Sequence, residues 1–282
     1  MAIKTFSIGF YQGVFGDKNV KENVSDILKE LLKEDTPVFN IRGYDFKLKE
    51  LKQNKKTIQG ILCKFRHDDI PIIGNKNNLE RPIDLSDDEG LIEKNHFVYY
   101  TDQELLVYQH NKHACHYKIL GEYITEITGK TCVFNPIIQK ESFDSLMKGG
   151  VKPRKINVSF ARPSNNNLTG HKFNSDLMKL LSDTGGLNIN LTISVGRRKS
   201  KYLNMDIRDA LLELVREAEP NIARLNYDDD EGGRHDIDLI ADRITSSVDV
   251  YMNGRYPNSE KMFSELRSAK NEKNDQIKRV IS

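Results

Sequence analysis

Residues 187 to 195, Leu187-Asn188-Ile189-Asn190-Leu191-Thr192-Ile193-Ser194-Val195, alternate apolar and neutral polar side chains without interruption. A β-strand sends successive side chains to opposite faces, so this segment predicts Leu187, Ile189, Leu191, Ile193 and Val195 in a core and Asn188, Asn190, Thr192 and Ser194 outside. The run leads directly into Gly196-Arg197-Arg198-Lys199-Ser200-Lys201. Residues 154 to 162 repeat the pattern, with Ile156, Val158 and Phe160 inward and Lys155, Asn157 and Ser159 outward, behind a second basic group of Lys152, Arg154 and Lys155. If the two strands are antiparallel neighbours, both basic groups reach one edge of an acid-free polar sheet face.

The whole-chain balance of +2 conceals where the charge lies. Residues 131 to 201 hold twelve Lys and Arg against four Asp and Glu, a net of +8, whereas 83 to 130 and 202 to 282 are each −5 and 1 to 82 is +4. Concentrated positive charge attracts nucleic-acid phosphates by counterion release, an affinity that is indifferent to sequence and falls with salt. The plainer reading of a single basic run is a solvated surface. Two runs flanking an uncharged sheet face favour a polyanion.

At 282 residues, 38% hydrophobic and 30% charged, the chain is long enough for one large domain or two smaller ones. The expected division is an N-terminal α+β region at 1–130 and a basic α+β region at 131–282 that ends in a helix, possible also as one continuous domain. No apolar stretch has membrane-spanning length, and no signal-peptide core is seen at the start, so a cytoplasmic protein is expected. Cys63, Cys115 and Cys132 are odd in number and far apart, which suggests buried free thiols rather than a disulfide framework or a thiolate metal site.

Strands are expected at 3–15, 37–51, 57–66, 96–100, 104–109, 131–138, 154–162, 187–197, 222–228, 237–243 and 247–251. Helices are expected at 20–33, 114–128, 172–183, 206–218 and 259–280. Strands outnumber helices and do not alternate with them, which predicts an α+β fold of mixed, largely antiparallel sheets with packed helices and a long C-terminal helix. The thin apolar stripe of that helix, Met262, Phe263, Leu266, Ala269 and Ile277, suits light packing or pairing with a second copy.

Three groupings invite a catalytic or metal reading. His110, His113, Cys115 and His116 lie close together but have no distant ligand pair, so a polar turn before a helix is the ordinary account. Asp228-Asp229-Asp230-Glu231, with His235, Asp236 and Asp238 after Gly232-Gly233, offers carboxylates for a metal-dependent nuclease, yet adjacent acids before two glycines also describe a solvated hairpin turn. Asp35 with Glu50-Leu51-Lys52 imitates a restriction-nuclease pattern that arises readily by chance in a Lys-rich chain. Neither a phosphate-binding loop nor a nucleophile elbow occurs. Catalytic residues, cofactors and metals are therefore all assigned as none.

The order of segments resembles the RexA family of phage exclusion proteins of lambdoid prophages. The likeness is carried by Gly9-Phe10-Tyr11, Asp87-Asp88-Glu89, Met147-Lys148-Gly149, the strand ending in a basic cluster before the helix at Asp206, and the closing hairpin and helix. It implies a homodimer that binds DNA without sequence preference and acts as the intracellular sensor of an anti-phage, abortive-infection system. A membrane-protein effector encoded nearby would be its partner, and a likeness of that family to RdgC-type DNA-binding proteins fits the α+β reading.

The resulting expectation is DNA binding through Lys152, Arg154, Lys155, Arg162, Arg197, Arg198, Lys199 and Lys201, with Asn157, Asn188 and Asn190 adding neutral hydrogen bonds. The alternatives are a nuclease using the Asp228 to Asp238 cluster, or a module whose basic face binds an acidic protein.

Overall fold

A computed structural model describes the chain except for residues 1–2, 16–21, 69, 78, 87–88, 112, 140–150, 162–169, 197–200, 205, 219, 221, 230–232, 255 and 282. It divides into two units, one formed by 1–136 with 245–275 and the other by 137–244 with 276–282. The closing strands and most of the terminal helical segment belong with the N-terminal residues.

The first unit is built on a nine-stranded sheet in which every pairing is antiparallel. Its strands are β1 (Ile3–Phe15), β2 (Phe39–Ile41), β3 (Tyr44–Asn54), β4 (Thr57–Arg66), β7 (Leu91–Tyr100), β8 (Leu105–Gln109), β9 (Cys132–Pro136), β14 (Thr245–Asn253) and β15 (Tyr256–Pro257), with β5 (Ile73–Gly74) and β6 (Glu80–Arg81) forming a separate small hairpin. The order is β15-β14-β1-β8-β7-β4-β3-β2, and β9 also pairs with β1.

Alternation along β7 explains how both faces are covered. Phe97 and Tyr99 join a core with Val24, Ile27 and Leu28 of α1 (Val24–Glu30) and Leu120, Tyr123 and Ile124 of α2 (Tyr117–Thr128). His96 points the other way, its ring 5.3 Å from Phe263 of α5 (Ser259–Glu272). Asn95 to Tyr99 are consequently buried without a gap, as in a strand with helices on both sides.

The second unit has a four-stranded antiparallel sheet, β11-β10-β12-β13, made of β10 (Lys152–Ala161), β11 (Asn188–Ser194), β12 (Ile222–Asp228) and β13 (Arg234–Asp238). Ile156, Val158, Phe160, Ala223, Leu225 and Ile237 pack with Leu177 and Leu181 of α3 (Lys172–Thr184) and Leu211, Leu214 and Val215 of α4 (Asp206–Glu217). Burying these side chains yields roughly 1.5–3 kcal/mol each for the larger ones. Gly185 ends α3 in the left-handed conformation, φ +68°, which a residue without Cβ adopts at little cost. That is the helix C-cap expected of Gly185-Gly186.

The fold is thus α+β with largely antiparallel sheets. The expected long C-terminal helix is a correction: α5 stops at Lys273, whose φ of −91° and ψ of 3° leave the helical region, and α6 (Asn274–Ile281) is a separate helix. Asn274 accepts a 2.6 Å hydrogen bond from the Lys270 ammonium across the break. Polar side chains at the junction, Lys270 to Asn274, supply no apolar stripe to hold one straight rod. Among the described residues no helix is long and apolar enough to cross a membrane.

Candidate nucleic-acid interface

Every second residue of β10, β11, β12 and β13 faces away from α3 and α4, so one side of the second sheet is open. Register places Ser194, Lys155, Asn226 and Asp236 in one row across the four strands. The next row is Thr192, Asn157, Arg224 and Asp238, followed by Asn190, Ser159 and Ile222. Asn188, Asn190, Thr192 and Ser194 are exposed, as their alternation requires. Ser159 and Asn190 are hydrogen-bonded across the β10–β11 pair.

The antiparallel β10–β11 pairing sets the start of one basic segment beside the end of the other. Lys155 lies opposite Ser194, and the Val195 N–H donates to the Arg154 carbonyl at 3.0 Å. The Leu203 N–H donates to the Pro153 carbonyl at 2.7 Å, which returns residues 201–203 to the same end of the sheet. Lys155 and Lys201 are exposed there, and Lys152 is half-buried, opposite Asp228. Of the other expected contacts, Arg162, Arg197, Arg198 and Lys199 lie outside the described residues.

Arg154 is a correction. It sits where the β10–β12 register shifts, between Pro153 and Lys155, so the parity of Ile156 does not set its direction, and its side chain is 7% exposed. There it donates to Asp228 Oδ2 at 3.0 Å, and its guanidinium carbon lies 5.7 Å from the Tyr202 ring centre. Arg234 approaches the other oxygen of Asp228 at 3.4 Å. A guanidinium held this way cannot also grip an external phosphate.

The open face is also not acid-free across its whole width. β10 and β11 carry no carboxylate on it, but β13 contributes Asp236, bonded to Asn226 Nδ2 at 2.8 Å, and Asp238, 2.7 Å from Arg224 Nε. Burial opposes the charge on Asp238, but the Arg224 guanidinium and the N–H groups of Ala241 and Ile240 outweigh it and keep its pKa below the ordinary carboxylate value. Arg224 and Asn226 were not among the expected site residues. Their alternation with Ala223, Leu225 and Tyr227 on β12 was the available signal.

Each described carboxylate of the Asp228 to Asp238 segment has a structural partner. Asp228 holds Arg154 and Arg234, and Asp229 accepts from the Gly233 N–H at 2.7 Å and lies 2.8 Å from His235 Nε2. Asp230, Glu231 and Gly232 lie outside the described residues. His110 Nε2 is 2.8 Å from the Tyr11 hydroxyl, His116 Nδ1 accepts from the Lys118 N–H at the start of α2, and burial pushes the Cys115 thiol up to about 12. Among the described residues no three His, Cys, Asp or Glu side chains are placed to hold a metal ion.

Two α+β units, the second with helices on one side of its sheet and an open polar surface on the other, define the class of protein. The chain belongs to DUF6731, a family of unknown function, which it matches over residues 3–278. No curated protein matches it.

Proposed function

We propose that the second unit binds nucleic acid, DNA in the first instance, by its phosphates and without reading bases. The observation that carries this reading is the antiparallel β10–β11 pairing, which gathers Lys152, Lys155 and Lys201 at one end of an open sheet face lined by Asn157, Asn188, Asn190, Thr192 and Ser194. Arg197, Arg198 and Lys199 follow β11 in sequence and lie outside the described residues. Cations supply affinity through counterion release, while neutral amides and hydroxyls bond phosphate or sugar with no preference among bases. Arg154 is excluded from the contact set and acts by fixing Asp228.

In this reading the protein is a cytoplasmic DNA sensor of a prophage-encoded exclusion system, with an effector in the membrane. That setting is supported by the resemblance to RexA proteins. A small multi-span membrane protein encoded next door is the observation that strengthens it.

The test is fluorescence anisotropy with unrelated short duplexes over a salt series. If about six phosphates are neutralised, affinity falls on the order of a thousandfold between about 50 and 200 mM salt. Lys152→Ala/Lys155→Ala/Lys201→Ala removes three contacts and lowers the log–log salt slope by about 2.7, equally for all sequences. Unchanged affinity in the triple variant overturns the interface. Binding to an acidic protein but not to duplex assigns the same surface to a protein partner instead.

A further inference from the structure

β11 lies at the end of the order β11-β10-β12-β13 and, among the described residues, has no strand on its outer side. Such an edge presents unpaired N–H and C=O groups, and proteins ordinarily blunt it with charge, proline, a bulge or brevity. The opposite edge is blunted by Arg234, His235, Asp236 and Asp238 within the five residues of β13; in the larger sheet the end strands β2 and β15 are three and two residues long, and β9, off that order, ends in Pro136. β11 has none of these protections. Its seven residues contain no charge, proline or glycine, and its register with β10 runs unbroken from Lys155–Ser194 to Ala161–Asn188.

Backbone direction and side-chain burial point the same way. The Val195 N–H bonds to β10, so by alternation the backbone groups of Asn188, Asn190, Thr192 and Ser194 turn outward. On the core side Ile189, Leu191 and Ile193 are only half-buried, Leu187 is 71% exposed, and Leu180 of α3 is 52% exposed. An apolar row therefore continues past the edge with nothing described to cover it.

The segment is also symmetric about Leu191. Asn190 mirrors Thr192, Ile189 mirrors Ile193, Asn188 mirrors Ser194, and Leu187 mirrors Val195. We propose that β11 pairs antiparallel with β11 of a second copy about a two-fold axis at Leu191, joining two four-stranded sheets into one of eight. In this register Asn190 exchanges N–H···O bonds with the partner's Thr192, and Asn188 with the partner's Ser194, about eight backbone bonds in all. Polar side chains meet polar ones and apolar meet apolar, whereas a slip of one residue inverts every match. Asn188–Ser194 carries no charged side chain, so no like charges face each other within the paired strands. The open polar faces of both copies lie on the same side. The pairing holds or fails independently of what that face binds.

The test is sedimentation equilibrium of the full chain at micromolar concentration. The wild type is expected at twice 32.4 kDa. Thr192→Pro deletes an N–H that β10 does not use, so it halves the mass while circular dichroism is retained. Asn190→Lys/Thr192→Lys and Asn190→Asp/Thr192→Asp are each expected to be monomeric, and their equimolar mixture to dimerise again. Under oxidising conditions Leu191→Cys cross-links two chains and Ile193→Cys does not, because only residue 191 meets itself on the axis. A monomeric wild type overturns the proposal, whether or not an extended peptide binds the edge. A dimer that survives Thr192→Pro, or the absence of a Leu191→Cys cross-link, overturns it equally.

Discussion

The guanidinium of Arg154 and the carboxylate of Asp228 are both largely removed from water, 7% and 12% exposed. Charges so placed must be paired, because the desolvation penalty of each is several kcal/mol. Arg154→Ala leaves Asp228 to the more distant and 63% exposed Arg234. The expected loss is about 3 kcal/mol, read from the urea midpoint, at the low end of what breaking a buried pair costs. Arg154→Met with Asp228→Leu costs less than the single change, since no charge remains stranded. A phosphate contact gives the opposite result, with weaker DNA binding at unchanged stability. The burial of Arg154 was not legible in the sequence, because nothing there marks the register shift between Pro153 and Lys155. Nor was its partner: Asp228 is 74 residues away, and only strand pairing brings them together.

Elements announced themselves where both periodicity and end signals were present. β11, β10, the Gly-capped α2 and α3, and α4 read directly from spacing, because a face buried by one neighbour leaves a clean alternation or helical stripe. β7, expected at 96–100 and found at Leu91–Tyr100, was legible only in part, since a strand covered on both sides loses its alternation, whereas β8 was expected at 104–109 and lies at Leu105–Gln109. β13 was expected at 237–243 and lies at 234–238, a displacement that hid Asp236 and Asp238 from the open face.

The joint between β7 and α5 is another feature no local pattern reveals. His96 Nδ1 donates to Gln109 Oε1 at 2.7 Å, and Nε2 is 3.0 Å from Ser259 Oγ in the first turn of α5. Burial lowers the His96 pKa below 6.5; Lys94 adds to the shift, while the Gln109 hydrogen bond and Glu50 oppose it. The folded protein therefore binds fewer protons here than the unfolded chain. The contribution of His96 is full above about pH 6.5 and declines as pH falls from there toward the depressed folded value. Thermal melts from pH 8 to pH 5 are expected to show this loss, and His96→Gln to remove its share of the slope.

On the scale of the whole molecule, a net charge of +2 says little, and the arrangement of segments says more. The sequence showed that positive charge gathers between 131 and 201, but not that residues 245–275 return to the first unit. Closure of that unit depends on β14, which pairs with β1 from Ile3–Tyr251 to Gly9–Thr245. A chain ending at Ile244 is expected to be aggregated, as judged by light scattering, because the β1 edge and the apolar side chains that meet α5 lose their cover.

The same arrangement bears on translation. β1 leaves the ribosome long before the strand that completes it, and everything from 137 to 244 is made in the interval. The four-stranded sheet of the second unit can form as it emerges, while the nine-stranded one waits for the far side of the insertion. A chaperone that shields extended, unpaired segments has its natural target in the first strand of this nascent chain.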